Sequence, residues 1–233
     1  SLTWLVLTNA VYFKGSWEDR FDKALTGKES FTLLDDGRVK VPMMQGTKRL
    51  GYFQNEDVQV LEIPYSGKEM SMVIILPAPR EAGEGEGMGK TGCAQILKQL
   101  EEKLTKENLG LWLDGLDDRN VEAYIPRFTM TSEFMLGETL RSMGMDLPFS
   151  GEADFKAMTG EDVFFLSEVI HKAFVDVNEE GTEAAAATAV LMVKGGPLPP
   201  NPVFRADRPF IFLIKESKTD TILFMGRVVD PAG

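Results

Sequence analysis

Apolar residues along this chain occur mostly in short runs divided by glycine, proline and charged positions, a pattern typical of β-strands joined by turns. Early strands are predicted at 2–13, 40–45, 50–54, 58–64 and 70–76. Later strands are predicted at 121–130 and 163–177, with 208–214 and 222–229 as a buried pair. The chain is therefore expected to be rich in sheet.

Two segments have helical spacing instead. Residues 94–104 place Ile96, Leu97, Leu100 and Leu104 on one face of a helix. Residues 132–142 are also predicted as a helix, with Ser132 as its N-cap. Because the helices are few and do not alternate with the strands, the predicted class is α+β rather than a doubly wound sheet.

One segment differs from the rest of the chain in composition. It consists of Glu179, Glu180, Gly181, Thr182, Glu183, Ala184, Ala185, Ala186, Ala187 and Thr188. Alanine favours helices, but this run lies between a predicted strand and the β-leaning residues 190–193. In an extended conformation, alternate residues share a face. The face that begins at Thr182 then carries no charge, because Glu183 lies on the other face, so it can pack on an apolar core.

Composition excludes several classes of function. The net charge of −11 argues against a general nucleic-acid surface, and no apolar run reaches the length of a membrane span. Cys93 is the only cysteine, so the chain has no internal disulfide, and one cysteine with one histidine is too few for a structural zinc site. No cofactor, nucleic-acid partner or membrane partner is predicted. Extracellular and intracellular locations are both compatible with this sequence.

Enzymatic activity is not expected either. His171 is the only histidine, so a Ser-His-Asp triad would have to include it. Ser167 lies four residues away, which is about 13 Å along a strand. The G-x-G-x-x-G pattern at 87–92 is interpreted as a surface loop, because a P-loop would need glycine where Glu84 stands.

Four collinear segments resemble the serpins, the serine-protease-inhibitor family: 7–17, 167–173, 208–212 and 223–231. The resemblance covers essentially all 233 residues. It implies a serpin-like α+β fold, with a large central β-sheet, smaller packed sheets and few helices. Residues 1–233 would form a single but partial serpin domain, in which 179–202 is the reactive-centre loop. The N-terminal helices of the family have no counterpart here, so the remaining N-terminal part of the serpin is expected as a partner.

The resemblance also implies a mechanism. The chain would act as a suicide-substrate inhibitor of serine or, alternatively, cysteine proteases. The target protease would cut the reactive-centre loop and form a covalent acyl-enzyme. The segment 179–188 would be the hinge from which the cut loop inserts into the central sheet. Candidates for the scissile region are Val193, Lys194, Gly195 and Gly196. Asn9 and His171 match the family's "shutter", where the central strands part, and Trp17 matches the "breach", where the loop enters first.

Inhibition is favoured over other serpin functions by the residues of the hinge. Gly181 can adopt hinge angles without a Cβ penalty, and no proline occurs between the hinge and Pro197. The alternative is a non-inhibitory serpin that acts as a carrier or chaperone.

Overall fold

The computed structural model describes residues 5–78, 92–160, 164–180 and 200–232. Their strands, in chain order, are β1 (Leu5–Phe13), β2 (Gly27–Thr32), β3 (Arg38–Gln54), β4 (Val58–Pro64), β5 (Met70–Pro77), β6 (Asp117–Pro126), β7 (Phe128–Met135), β8 (Leu166–Val177), β9 (Val203–Arg205), β10 (Phe210–Glu216) and β11 (Ile222–Val228). Their helices are α1 (Cys93–Lys103), α2 (Lys106–Asp114), α3 (Gly137–Ser142) and α4 (Lys156–Thr159), with 3-10 turns at Lys23–Leu25 and Leu147–Phe149.

The chain forms two compact units. The first comprises Ser1–Lys14 and Thr129–Val177, and we call it the three-stranded unit after its sheet. The second comprises Gly15–Phe128 and Asn178–Gly233, and we call it the eight-stranded unit.

In the three-stranded unit the strand order is β1-β8-β7. β1 and β8 run parallel and pair at nine positions, from Leu5↔Leu166 to Phe13↔Val175, with a register shift after the first. We call this ladder the β1–β8 seam. The unit has a small apolar core of Phe149, Leu166 and Val169, against which Leu136 and Leu140 pack.

In the eight-stranded unit the order is β11-β10-β5-β4-β3-β6-β9, and β2 pairs with β3. β5 lies between β4 and β10, and its residues from Ser71 to Pro77 are all buried. A core of Val60, Val73, Ile75, Leu213 and neighbouring residues packs between the sheet and helices α1 and α2. The predicted α+β class, rich in sheet and with few helices, is therefore confirmed.

Several strand predictions are close to the structure. The strand predicted at 58–64 coincides with β4, and those at 70–76 and 222–229 differ from β5 and β11 by one residue at one end. The strand predicted at 208–214 is shifted by two residues from β10. The helix predicted at 94–104 corresponds to α1. The strand predicted at 163–177 corresponds to β8, which begins at Leu166.

The predicted break between 45 and 50 is wrong, because β3 is one continuous strand of 17 residues. Its residues from Met43 to Tyr52 pair one by one with β6, including Gly46 opposite Ala123. The ladder continues through Gly46, so the glycine marks no turn.

The helix predicted at 132–142 is also wrong over its first half. Ser132 lies in β7, which continues to Met135, and the helix begins only at Gly137. There the Glu168 carboxylate accepts a hydrogen bond from the Gly137 N–H at 2.9 Å. Pairing within the sheet outweighs the helix propensity of this stretch.

The strand predicted at 121–130 is two strands, β6 and β7, which are separated at Arg127. Four of the strands and helices were not predicted: β2, α2, α4 and β9. The N-cap of α2 is Thr105, whose hydroxyl oxygen accepts a hydrogen bond from the Asn108 N–H at 3.2 Å.

Candidate functional site

The site begins where the chain leaves β8. Asn178, Glu179 and Glu180 follow Val177, and we call these three residues the loop root. They belong to the eight-stranded unit, as do Trp17, Lys23, Thr26 and Arg127, which contact them. The hinge residues Gly181 to Thr188 and the scissile candidates Val193, Lys194, Gly195 and Gly196 lie outside the described residues.

Glu179 is the anchor of the loop root. Its side chain is only 1% exposed. One carboxylate oxygen accepts a hydrogen bond from Arg127 Nε at 2.6 Å, and the other accepts from the Thr26 hydroxyl at 2.5 Å. A buried carboxylate is tolerated when charge-assisted hydrogen bonds replace its hydration.

The pKa of the Glu179 carboxyl reflects this balance. Burial by itself raises that pKa, but the hydrogen bonds from Arg127 and Thr26 outweigh it and hold the pKa below its ordinary value. The side chain is therefore an anion at neutral pH. The attachment of the Glu179 side chain therefore depends on the Arg127 cation, and Arg127 lies at the junction of β6 and β7. The backbone N–H of Arg127 donates a hydrogen bond to the Pro42 carbonyl at 2.9 Å, which fixes this residue in place.

Trp17 contacts the loop root through its indole. Nε1–H donates to the Asn178 carbonyl at 2.8 Å. The buried ring stacks on Tyr65 with centroids 4.6 Å apart and meets Phe21 edge-on at 6.5 Å. Because these aromatic contacts fix the ring, its N–H is directed at one backbone carbonyl.

Two weaker contacts complete the loop root. The Asn178 side-chain oxygen accepts from the Glu180 N–H at 2.7 Å, which closes a tight local turn. The Glu180 carboxylate pairs with Lys23 at 2.6 Å, and both side chains are more than half exposed. Solvent screens such a pair, so the buried Glu179 contributes most of the anchoring.

The chain is described again from Pro200, and it enters β9, which pairs in parallel with β6. Phe204 is fully buried. The Arg205 guanidinium lies 3.6 Å from the centre of the Tyr124 ring and also pairs with Glu29. The Gln59 amide donates to the Val203 carbonyl at 3.3 Å. The far end of the predicted reactive-centre loop is thus held by strand pairing, burial and a stacked cation.

The predicted shutter residues are neighbours in the three-stranded unit. Asn9 on β1 and His171 on β8 occupy partner positions in the β1–β8 seam. The His171 ring lies 6.5 Å from the ring of Phe134 on β7, at 21° to it. His171 and Ser167 are both on β8, four residues apart. This is the extended spacing on which the sequence argument against a catalytic triad depends.

Sequence reasoning missed the two partners of Glu179. Arg127 is 52 residues from Glu179 in sequence and Thr26 is 153, and neither lies in a recognisable motif. A basic residue directly after a strand-ending proline is the only local signal at Arg127, and it is too common to indicate an ion pair.

Within the described ranges, no three His, Cys, Asp or Glu side chains are arranged to hold a metal ion. In the same part of the chain, no helix combines the length and apolarity needed to cross a membrane.

Comparison with known proteins now identifies the class of this fold. The profile of the family described as Serpin (serine protease inhibitor) matches residues 1–231. The chain belongs to the serpin family.

Individual relatives agree with this assignment. Human Serpin B3 is 43% identical over 99% of this chain and 57% of its own length. Human leukocyte elastase inhibitor is 42% identical, over 99% of this chain and 59% of its own length. The chain therefore spans less than two thirds of these relatives. Members of the family are protease inhibitors rather than catalytic enzymes.

Solved structures are similar as well. Uncleaved ovalbumin matches with a TM-score of 0.77 and 29% identity, over 97% of this chain and 54% of that one. Thyroxine-binding globulin in complex with thyroxine matches with a TM-score of 0.75 and 30% identity, over 97% of this chain and 56% of that one.

Proposed function

We propose that this chain carries the inhibitory machinery of a serine-protease inhibitor that traps its target as a covalent acyl-enzyme. The observation that carries the proposal is the β1–β8 seam. Two parallel strands are paired directly at nine positions, and the second leads into the anchored loop root. This is the arrangement expected before a new strand is added between them. Cysteine proteases remain alternative targets.

The first step is attack on the reactive-centre loop, 179–202. The nucleophile of the protease attacks a carbonyl carbon in the scissile region, the peptide C–N bond breaks, and the new amino terminus leaves. The protease stays attached through an ester or thioester. The usual family spacing puts the scissile bond at Gly195–Gly196. Lys194–Gly195, which we slightly favour, suits a trypsin-like target, and Val193 or Met192 suits an elastase- or chymotrypsin-like one.

The second step is insertion of the cut loop between β1 and β8. It replaces one seam of nine pairs by two seams, one on each side of the new strand. The net gain is therefore about one seam of hydrogen bonds, on the order of 10 kcal/mol at about 1 kcal/mol each. That free energy is comparable to the stability of a whole domain, which is enough to distort an attached enzyme.

The loop root fixes where this strand begins. The bonds from Trp17 to Asn178 and from Arg127 to Glu179 hold the chain directly before Gly181. The inserted segment then has a fixed starting point, and the residues after Glu180 set its register. Asn9 and His171, the proposed shutter, are on the two strands that must separate.

The test is complex formation with a panel of proteases, followed on denaturing gels. We expect the parent protein to give a band that survives SDS with at least one serine protease. Thr182→Arg places a charge on the face predicted to be buried, so cleavage should continue without trapping. Glu183→Arg is the matched control, because position 183 lies on the other face, and it should still trap. Equal trapping by both variants would contradict the insertion step.

A second candidate is supported by one comparison. The similar structure of thyroxine-binding globulin contains thyroxine, so proteins with this fold also carry small molecules. A carrier or chaperone would be cut in the same loop but would form no covalent complex and gain no thermal stability. Melting curves of intact and cut protein distinguish the two functions.

The remaining N-terminal part of the serpin stays a proposed partner. β1 exposes apolar side chains along its length, including Leu7 at 54% and Tyr12 at 63%, and such a part would cover them. Circular dichroism of this chain by itself tests the idea. We expect a broad, low-temperature transition, and a cooperative transition at high temperature would contradict it.

A further inference from the structure

Methionine side chains are exposed together in one part of the three-stranded unit. Met143 is 78% exposed, Met135 71%, Met158 64% and Met145 47%. All four lie within 135–158, at the end of β7 and around α3 and α4. We call them the exposed methionines. In the eight-stranded unit Met43, Met44 and Met72 are fully buried, whereas Met225 on β11 is 54% exposed and is expected to react like the exposed methionines.

An exposed thioether is a reactive group. The sulfur lone pair attacks one oxygen of a hydroperoxide, the O–O bond breaks, and a sulfoxide S–O bond forms. Sulfur is oxidised by two electrons, and the peroxide is reduced to water or an alcohol, which takes the proton. Sulfur that is packed in an apolar core is shielded from this attack.

We propose that the exposed methionines are a site of reversible oxidation, which reacts with hydroperoxides before the buried methionines and without loss of the fold. The inference rests on exposure and packing alone and is independent of protease inhibition.

The packing around α3 explains why oxidation there is tolerated. Leu136 and Leu140, and not the methionines, contact the core of Phe149, Leu166 and Val169. The helix is also held by the Leu136 N–H, which donates to the Val169 carbonyl at 2.8 Å. A sulfoxide on Met143 or Met135 therefore adds a polar group to a surface that is already hydrated. The same oxygen on Met72 would be buried without a partner.

The experiment is limiting hydrogen peroxide followed by peptide mapping with mass spectrometry. We expect Met143 and Met135 to gain one oxygen at least about tenfold faster than Met43, Met44 and Met72. The melting temperature should stay unchanged while only the exposed methionines react. Methionine sulfoxide reductase should remove the added oxygen.

Two controls define the outcome. In guanidinium all the methionines should react at similar rates, which shows that the folded structure causes the difference. A variant with leucine at 135, 143, 145 and 158 should fold, and it should consume the first equivalents of peroxide more slowly than the parent. Equal rates at Met143 and Met72 in the folded protein, or unfolding with the first added oxygens, would overturn the proposal.

Discussion

The two sheets of this protein are stabilised in different ways. In the eight-stranded unit, β5 is buried from Ser71 onward and has a paired strand on each side. In the three-stranded unit, only Phe13 among the β1 residues is buried. β1 is therefore attached mainly by its backbone ladder to β8, whereas β5 is attached by backbone pairing and by apolar burial on both faces.

This difference has a physical meaning. Strand pairing contributes about 1 kcal/mol net per hydrogen bond, while each fully buried aliphatic side chain contributes about 1.5–3 kcal/mol. A strand held by its ladder alone can be separated and paired again at little net cost. Within this chain, the part of the fold proposed to open therefore has little apolar packing to lose, and the part that must stay fixed is densely packed.

The largest test of this comparison is a matched pair of truncations. Ile74→Ala in β5 removes a fully buried side chain and should lower the free energy of unfolding by about 2–5 kcal/mol. Leu7→Ala in β1 removes a side chain that is mostly exposed and should cost less than about 1 kcal/mol. Urea denaturation followed by circular dichroism gives both values. Equal losses in the free energy of unfolding would contradict the conclusion that β5 is held by apolar burial and β1 mainly by backbone pairing.

The next test concerns the loop root. Arg127→Met leaves the buried Glu179 carboxylate without its cation, and we expect a loss of about 1–3 kcal/mol. Adding Glu179→Gln to that variant should restore part of the loss, because the orphaned charge is removed. A double variant no more stable than Arg127→Met would show that the pair does not anchor the loop root.

The same carboxylate predicts a pH dependence. Because the pKa of folded Glu179 lies below its ordinary value of 4.5, the anion is favoured by folding. Its stabilisation is complete above pH 4.5 and is lost as pH falls through the lower folded pKa. Melting curves of the parent and Glu179→Gln should therefore converge below pH 4.5. A constant difference from pH 7 down to pH 3 would contradict this linkage.

Replacing a glycine by alanine adds one methyl group and tests the local packing density with a smaller change. A Cβ on Gly226 in β11 would lie 2.7 Å from the buried Phe212 ring, so Gly226→Ala should cost about 1–3 kcal/mol. Gly110 in α2 has no neighbouring atom within 4 Å of that position, and Gly110→Ala should stabilise by about 0.5–1 kcal/mol. Thermal melts of both variants should shift in opposite directions. A rise in the melting temperature of Gly226→Ala would show that the sheet has space near Phe212.

The smallest expected effect is at Lys23. Its ion pair with Glu180 is solvent-exposed on both sides, so Lys23→Ala should change stability by less than about 0.5 kcal/mol. Melts at low and at moderate salt should show a small difference that decreases with salt, because salt screens an exposed pair. A loss as large as that of Arg127→Met would mean that Glu180, rather than Glu179, is the main anchor.

The elements predicted correctly from the sequence are those with a clear local pattern of apolar residues. β4 is a short apolar run between turns, and α1 has regular helical spacing, so both were predicted well. Ser132 was interpreted as the N-cap of a helix at 132–142, and that prediction failed because β7, which contains Ser132, is paired within the sheet. The partners of Glu179 could not be predicted from the sequence, because an ion pair between residues 127 and 179 depends on the folded topology. The family resemblance identified the shutter pair and Trp17, and their roles stay predictions.

The hydrogen bond from Trp17 to the Asn178 carbonyl gives the protein a built-in optical signal. Indole fluorescence depends on what the ring nitrogen donates to and on whether water reaches the ring. Unchanged Trp17 emission when the loop is cut would show that the loop root stays fixed, and a changed emission would show that the Asn178 carbonyl has shifted. Subtracting the spectrum of a Trp17→Phe variant isolates this signal, so the movement can be timed in a stopped-flow instrument without attaching a dye.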